Sequence, residues 1–241
     1  KALFTTNQIF TAFIISVTRT VLQAILSVFC TAMLAYALSR KEFVIRKPLT
    51  SVLVISMYVS AGLIPSYMLI KNLGMLNSYW VYIIPNLVDV FNFILVRTYI
   101  NGLPDSFVES ARIDGANEFK IFLGIIFPLI IPSVAMICLF VAVGAWNSWF
   151  DTYLYTSAKP NLYSLQYVLM QFLNSSQNQS NSAADANSMA VAAAAGSSGS
   201  MVTPITLRSS ITVIATVPIL VVYPFMQRYF VVGMTIGGVK E

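Results

Sequence analysis

Between Arg19 and Arg40 the chain carries no charged residue, and the run from Val21 to Leu38 is rich in Leu, Ala, Val and Phe. A helix needs about 20 mostly apolar residues to cross a hydrocarbon core of ~30 Å. This run therefore predicts a membrane span over 12–39. The pattern recurs along the chain. The stretch 49–70 is free of charge and predicts a second span, although Gly62 and Pro65 interrupt it. A third, over 80–102, is the least apolar and holds Pro85, Asp89 and Arg97. A fourth begins near Ile121 and meets no charge until Asp151, with Pro128 and Pro132 near its start. A fifth covers roughly 209–230, with Pro218 and Pro224 inside it. Membrane helices tolerate proline and glycine when neighbouring helices re-satisfy the freed backbone groups. Five such spans predict an all-α integral membrane bundle.

Composition agrees. The 241 residues are 57% hydrophobic and 10% charged, with a mean hydropathy of +0.76. A soluble domain carries about 25% charged residues, so too few charges remain to cover a water-exposed surface. A soluble enzyme, a nucleic-acid binder and a disordered chain are all disfavoured. The net charge of +5 follows membrane topology. Arg40, Lys41, Arg46 and Lys47 crowd one short loop, and such loops face the cytoplasm. Alternation then puts 103–120 and the C-terminus inside. The chain has no histidine, which removes the commonest general base and metal ligand. Catalytic residues and a metal site are not expected. Cys30 and Cys138 sit in apolar runs and read as inert buried thiols.

Two non-membrane segments stand out. Residues 151–205 form a long outward-facing loop, and its 174–204 portion is so rich in Ser, Asn, Ala and Gly that a mobile segment is expected. The segment 103–120 is different. Ser106 and Glu109 fit a capping box, which predicts a short helix starting there. Phe107, Val108 and Ala111 share its apolar side, and Gly115 permits a turn with positive φ. Its far end runs into the fourth span through Ile121, which predicts a lever on that span. Pro128 and Pro132 mark either a pivot or a structural kink in it.

Within this segment Glu109-Ser110-Ala111, then Asp114-Gly115-Ala116, then Ile125, Phe127 and Pro128 resemble the EAA signature of bacterial ABC-importer permeases. Ser110 stands where the family has Ala, and Phe127 where it has Leu. Ala35-Tyr36-Ala37-Leu38-Ser39-Arg40, Trp146-Asn147-Ser148-Trp149 and Gly237-Gly238-Val239-Lys240 extend the likeness. They resemble the MalG-like carbohydrate branch, and within it the complex-oligosaccharide group. The resemblance implies a MetI-like type I importer fold in one permease domain over 1–241, in the bacterial plasma membrane. It implies a sixth, N-terminal span ahead of the five counted here. It makes Glu109, Ser110, Ala111, Asp114, Gly115, Ala116, Ile125, Phe127 and Pro128 the ATPase-coupling residues. It also implies partners: a second homologous permease, two cytoplasmic ATPases that bind ATP and Mg, and an extracytoplasmic solute-binding protein. Glu241 departs from the family's small final residue.

Intramembrane polar residues default to functional hypotheses. Asp89 lies mid-span with Asn86 and Asn92 a turn away on either side, a set suited to sugar hydroxyls. The other reading pairs Asp89 with Arg97 or Arg19 to hold the bundle. Trp146, Asn147, Trp149 and Tyr153 lie where the fourth span leaves the membrane. There aromatic residues serve either as interfacial anchors or as sugar-stacking surfaces. A secondary transporter and a non-transporting membrane scaffold are the alternative functions. The first needs an ionisable coupling site and usually internal repeats. The second is at odds with polar residues and prolines in mid-span.

Overall fold

The computed structural model of the chain describes residues 7–182, with positions 213, 216–218 and 220. Most of the expected fifth span, most of the 174–204 segment and the Gly237–Lys240 tail fall outside the described residues. Every described element is helical. The elements are α1 (Asn7–Ser39), α2 (Arg46–Tyr58), α3 (Leu63–Asn72), α4 (Val90–Asn101), α5 (Ser106–Ile113), α6 (Glu118–Ile121), α7 (Phe127–Leu129), α8 (Ile131–Asn147), α9 (Phe150–Tyr155) and α10 (Leu165–Ser182). Short 3₁₀ turns at Tyr79–Tyr82 and Ile84–Asn86 precede α4, and a π-helical turn, Phe122–Ile126, joins α6 to α7.

The prolines decide where the expected spans break. A proline in the first turn of a helix loses only an N–H that has no partner anyway. Pro48 takes that place in α2, Pro65 in α3 and Pro132 in α8. The expected second span therefore splits at residues 59–62, where Val59 is extended and Gly62 takes φ 83°. One described segment, Ile9–Ser39, is long and apolar enough to cross a membrane alone. The 79–101 stretch reaches that length only as a pair bent by 46°, and 118–147 only as a pair bent by 81°. The lever is thus bent where Pro128 and Pro132 mark the chain. The π turn widens the helix ahead of Pro128, and the chain turns sharply at Ile130.

α1 is the mast on which the rest packs. Toward its Ser39 end Val28, Ala32, Ala35 and Leu38 pack with Phe93, Val96 and Ile100 of α4, with Ile137 of α8, and with Phe122 and Ile126 of the π turn. Toward its Asn7 end Ile9 and Ala12 pack with Trp146 and with Leu165, Val168 and Leu169 of α10. A third cluster joins Ile70 of α3 to Val81, Tyr82 and Ile83. In lipid, apolar burial gives little drive, so small residues and buried hydrogen bonds bring helices together. α1 supplies both. Ser16, Arg19, Gln23, Ser27 and Thr31 recur every three or four residues, and all are buried. Ser16 Oγ accepts the Leu165 N–H at 2.7 Å, which docks α10. The start of the expected 151–205 loop is therefore built into the bundle through α9 and α10, while 183–205 lies outside the described residues. Cys30 and Cys138 are free and half-buried.

Candidate functional site

The first candidate is the turn built around α5. The helix starts at Ser106, as expected, but its cap is Asp105 and no side-chain capping bond forms. Ser106 instead offers its carbonyl to the Ser110 hydroxyl at 2.9 Å. Val108 and Ala111 are buried in the main core, whereas Phe107 is 46% exposed and faces away from them. The helix closes by a Schellman pair: Ala116 N–H donates to the Ala111 carbonyl and Gly115 N–H to the Arg112 carbonyl, each at 3.0 Å. That closure needs a left-handed residue, and Gly115 has φ 75°. An added Cβ would meet nothing within 4 Å. Backbone strain alone therefore demands glycine there.

Glu109, Ser110, Asp114 and Gly115 are exposed. Ala116, Ile125 and Phe127 are half-buried and pack against the core, and Pro128 is exposed at the bend. The motif residues therefore divide into a solvent face and an anchoring face.

Arg112 pins this knob in place, and the sequence reading did not single it out. It makes a two-point contact with Glu42, in the α1–α2 loop, including Nη2 to Oε2 at 2.5 Å. Its Nε also reaches Glu118 Oε1 at 2.9 Å. Tyr36 of α1 donates to the other Glu118 oxygen at 2.6 Å. Lys41 holds Asp105 at 2.7 Å. The hydrogen bond from Arg112 keeps the Glu42 carboxyl below the usual carboxylate range. Lys41 does the same for Asp105. The two carboxylates raise the Arg112 pKa further. The partner Glu42, far off in sequence, could not be read from the 103–120 segment itself.

The second candidate is a polar cavity of about 780 Å³ between α1, α4 and α8. Asn86, Asp89 and Asn92 all line it, with Arg19, Gln23 and Asp151. Asp89 is not mid-helix. It is the N-cap of α4, and its Oδ1 accepts the Asn92 N–H at 2.9 Å. It pairs with neither Arg97 nor Arg19. Arg19, 1% exposed, donates to the Ala145 carbonyl at 2.7 Å and lies 3.6 Å from Asp151. Its guanidinium also sits 4.6 Å from the Tyr82 ring centre. The Tyr82 hydroxyl donates to the Leu162 carbonyl at 2.8 Å and is 2.6 Å from Thr156 Oγ1.

Trp146, Asn147 and Trp149 do not join that lining. Trp146 is buried edge-on to Phe13, with ring centres 6.2 Å apart. Asn147 is exposed and donates to the Val143 carbonyl at 3.0 Å. Trp149 lies edge-on to Phe150 at 5.7 Å and also packs by Tyr153. Among the described residues no group of three or more acidic or cysteine side chains is placed to hold a metal.

A helical membrane chain with an exposed, glycine-closed knob and a polar interior cavity has the build of a transport permease. The chain belongs to the family described as binding-protein-dependent transport system inner membrane components, which matches residues 32–236. It is 36% identical over 240 residues to the polygalacturonan/rhamnogalacturonan transport system permease protein YtcP of Bacillus subtilis, across 100% of this chain and 80% of that protein. It is 35% identical to Protein LplC of the same organism, across 100% and 77%. The melibiose/raffinose/stachyose import permease protein MelC, also of Bacillus subtilis, is 27% identical across 95% and 75%. Among solved structures, a chain of a bacterial ABC transporter involved in import of the acidic polysaccharide alginate superimposes with a TM-score of 0.79 at 26% identity. That match covers 95% of this chain and 78% of the other. The chain is a transport subunit, and the ATPase acts from a partner.

Proposed function

We propose that this permease carries an oligosaccharide into the cell by alternating access, with α5 as the point at which ATPase closure is delivered. The observation that carries the reading is the two-faced α5 turn. Val108 and Ala111 anchor it in the core, and Glu109, Ser110, Asp114 and Gly115 stand free for a partner. The Arg112 contacts to Glu42 and Glu118 tie that turn to α1, so a push on α5 reaches the mast of the bundle. Because 118–129 meets α8 at 81°, motion passes through a corner, not along one straight lever. The sugar path runs through the polar cavity, where Asn86, Asp89 and Asn92 offer donors and acceptors to hydroxyls and Arg19 and Gln23 add more. Trp146 and Trp149 serve packing, and Asn147 bonds within its own helix.

In this reading the assembly contains a second homologous permease, two cytoplasmic ATPases holding ATP and Mg, and an extracytoplasmic binding protein. The chain sits in the bacterial plasma membrane as a multi-pass subunit with a cytoplasmic C-terminus. The family match favours this over a secondary transporter or a scaffold. The test is uptake by proteoliposomes containing the whole assembly. Labelled galacturonan or raffinose-type oligosaccharides supplied outside with the binding protein should accumulate only with ATP at the ATPase side. Uptake driven by an ion gradient without ATP would overturn the reading.

A further inference from the structure

A groove of about 590 Å³ lies between α2 and α4 and is separate from both candidates above. Lys47 and Arg97 supply its charge, Thr50 and Ser51 its polar wall, and Val54 and Ile55 its apolar wall. Among the described residues no carboxylate lines it. α1 ends where the loop to α2 begins, and α4 ends just before α5. The first turn of α2 and the last turns of α4 therefore lie at the same end of the bundle.

Three other cations at that end have partners. Lys41 is paired with Asp105, Arg40 stacks at 4.8 Å from the Tyr36 ring centre, and Arg112 holds two glutamates. Lys47 and Arg97 have no ion-pair partner among the described residues. Arg97 Nε is buried and makes no hydrogen bond among them. The Thr50 and Ser51 hydroxyls donate to the carbonyls of Arg46 and Lys47 and carry no negative charge to offset either cation. A half-buried guanidinium without an acceptor is costly in a membrane setting and calls for an anionic ligand.

We propose that Lys47 and Arg97 bind the phosphate of an anionic phospholipid headgroup. The shape of the groove selects a lipid over free phosphate. Its apolar wall runs from the cations along α2, which buries none of its side chains, and Ile55 there is 61% exposed. An amphiphile with its phosphate on the cations and an acyl chain along Val54 and Ile55 satisfies both walls. Basic pockets between membrane helices at the headgroup level recognise anionic lipids by this chemistry.

The experiment uses the purified assembly in phosphatidylcholine nanodiscs containing phosphatidylglycerol, with bound lipid counted by native mass spectrometry after a detergent wash. The wild-type assembly should retain phosphatidylglycerol in preference to phosphatidylcholine. Lys47→Gln and Arg97→Gln should each weaken that retention about fivefold. Arg97→Lys keeps the charge and should retain the lipid, which guards against a variant that merely folds poorly. Equal retention of both lipids, or unchanged retention in both Gln variants, would overturn the site. Displacement by millimolar inorganic phosphate would assign it to free phosphate instead. Loss of the second permease subunit on Lys47→Gln, with no change in lipid, would assign the groove to a protein contact and overturn the lipid.

Discussion

The α5 turn takes its cap, its closing glycine and one of its two bracing glutamates from residues 105–118, and its charged side chains stand in water. The Arg19 cavity takes its lining from three distant stretches, around residues 19, 86–92 and 140–151, and its guanidinium is 1% exposed. One region is assembled by local chain chemistry and stands exposed. The other exists only because three helices meet, and it holds a buried guanidinium beside exposed Asn86 and Asp89. A change at α5 should therefore impair coupling and spare the bundle. A change at Arg19 should damage the bundle itself.

The largest effect is expected at Arg19. Arg19→Ala removes a buried cation that holds the Ala145 carbonyl, Asp151 and the Tyr82 ring together. Breaking such a pair costs about 3 kcal/mol once the partial exposure of Asp151 is allowed for. The melting temperature of the detergent-solubilised assembly should drop by several degrees. A melting temperature equal to wild type would show that the cavity is not part of the bundle's support.

Gly115→Val comes next. A β-branched residue at φ 75° costs roughly 1–3 kcal/mol of local strain. Because nothing crowds the position, the loss should appear in the α5 closure and not in global unfolding. ATPase co-purification should fall sharply while the permease still inserts, and Gly115→Asn should recover part of it. Wild-type uptake in Gly115→Val would erase the contrast drawn here.

The Arg112 contacts give a smaller and pH-dependent effect. Arg112→Ala should speed amide exchange over 106–121, and Arg112→Lys should rescue little, because a single ammonium cannot serve both carboxylates as a fork does. Glu42 has its folded pKa held below the unfolded value. Its contribution is present at neutral pH and is lost as pH falls through that lowered value. Exchange in wild type should therefore approach that of Arg112→Ala only in acid, below the ordinary carboxylate range. Convergence at neutral pH would mean that the contact is idle.

The smallest expected effect is Glu109→Gln. The side chain is exposed and, with Asp105 as the cap, closes no capping box. Stability should not change. ATPase association measured by titration at low salt should weaken modestly, and the difference from wild type should shrink as salt is raised. No difference at any salt would leave docking to Phe107, Ser110 and the shape of the turn.

The α5 knob was visible in sequence because its determinants are local. The spacing from Glu109 to Pro128 carries the family likeness, and a glycine after a short helix predicts its own φ. Even there the cap moved one residue, to Asp105, since Asp and Ser are both good caps and only the packed backbone selects between them. Phe107 was assigned to the wrong face for the same reason. An eight-residue helix has apolar residues on two sides, and the core takes only one.

Sequence alone determined the solvent in which this chain folds. A run of apolar residues must satisfy its backbone internally, so a helical chain follows from composition and charge spacing without any tertiary knowledge. Where those helices break was decided by tertiary structure. Pro65 and Pro132 permit either a kink inside one helix or the start of a new one. The choice depends on what neighbouring elements offer to the freed carbonyls. The partner of Arg19 was likewise undetermined. Asp89 and Asp151 were both available in sequence, and the meeting of α1, α8 and α9 set the guanidinium beside Asp151 and left Asp89 to cap α4. Charge attraction acts over distance in space, and only the packed bundle fixes that distance.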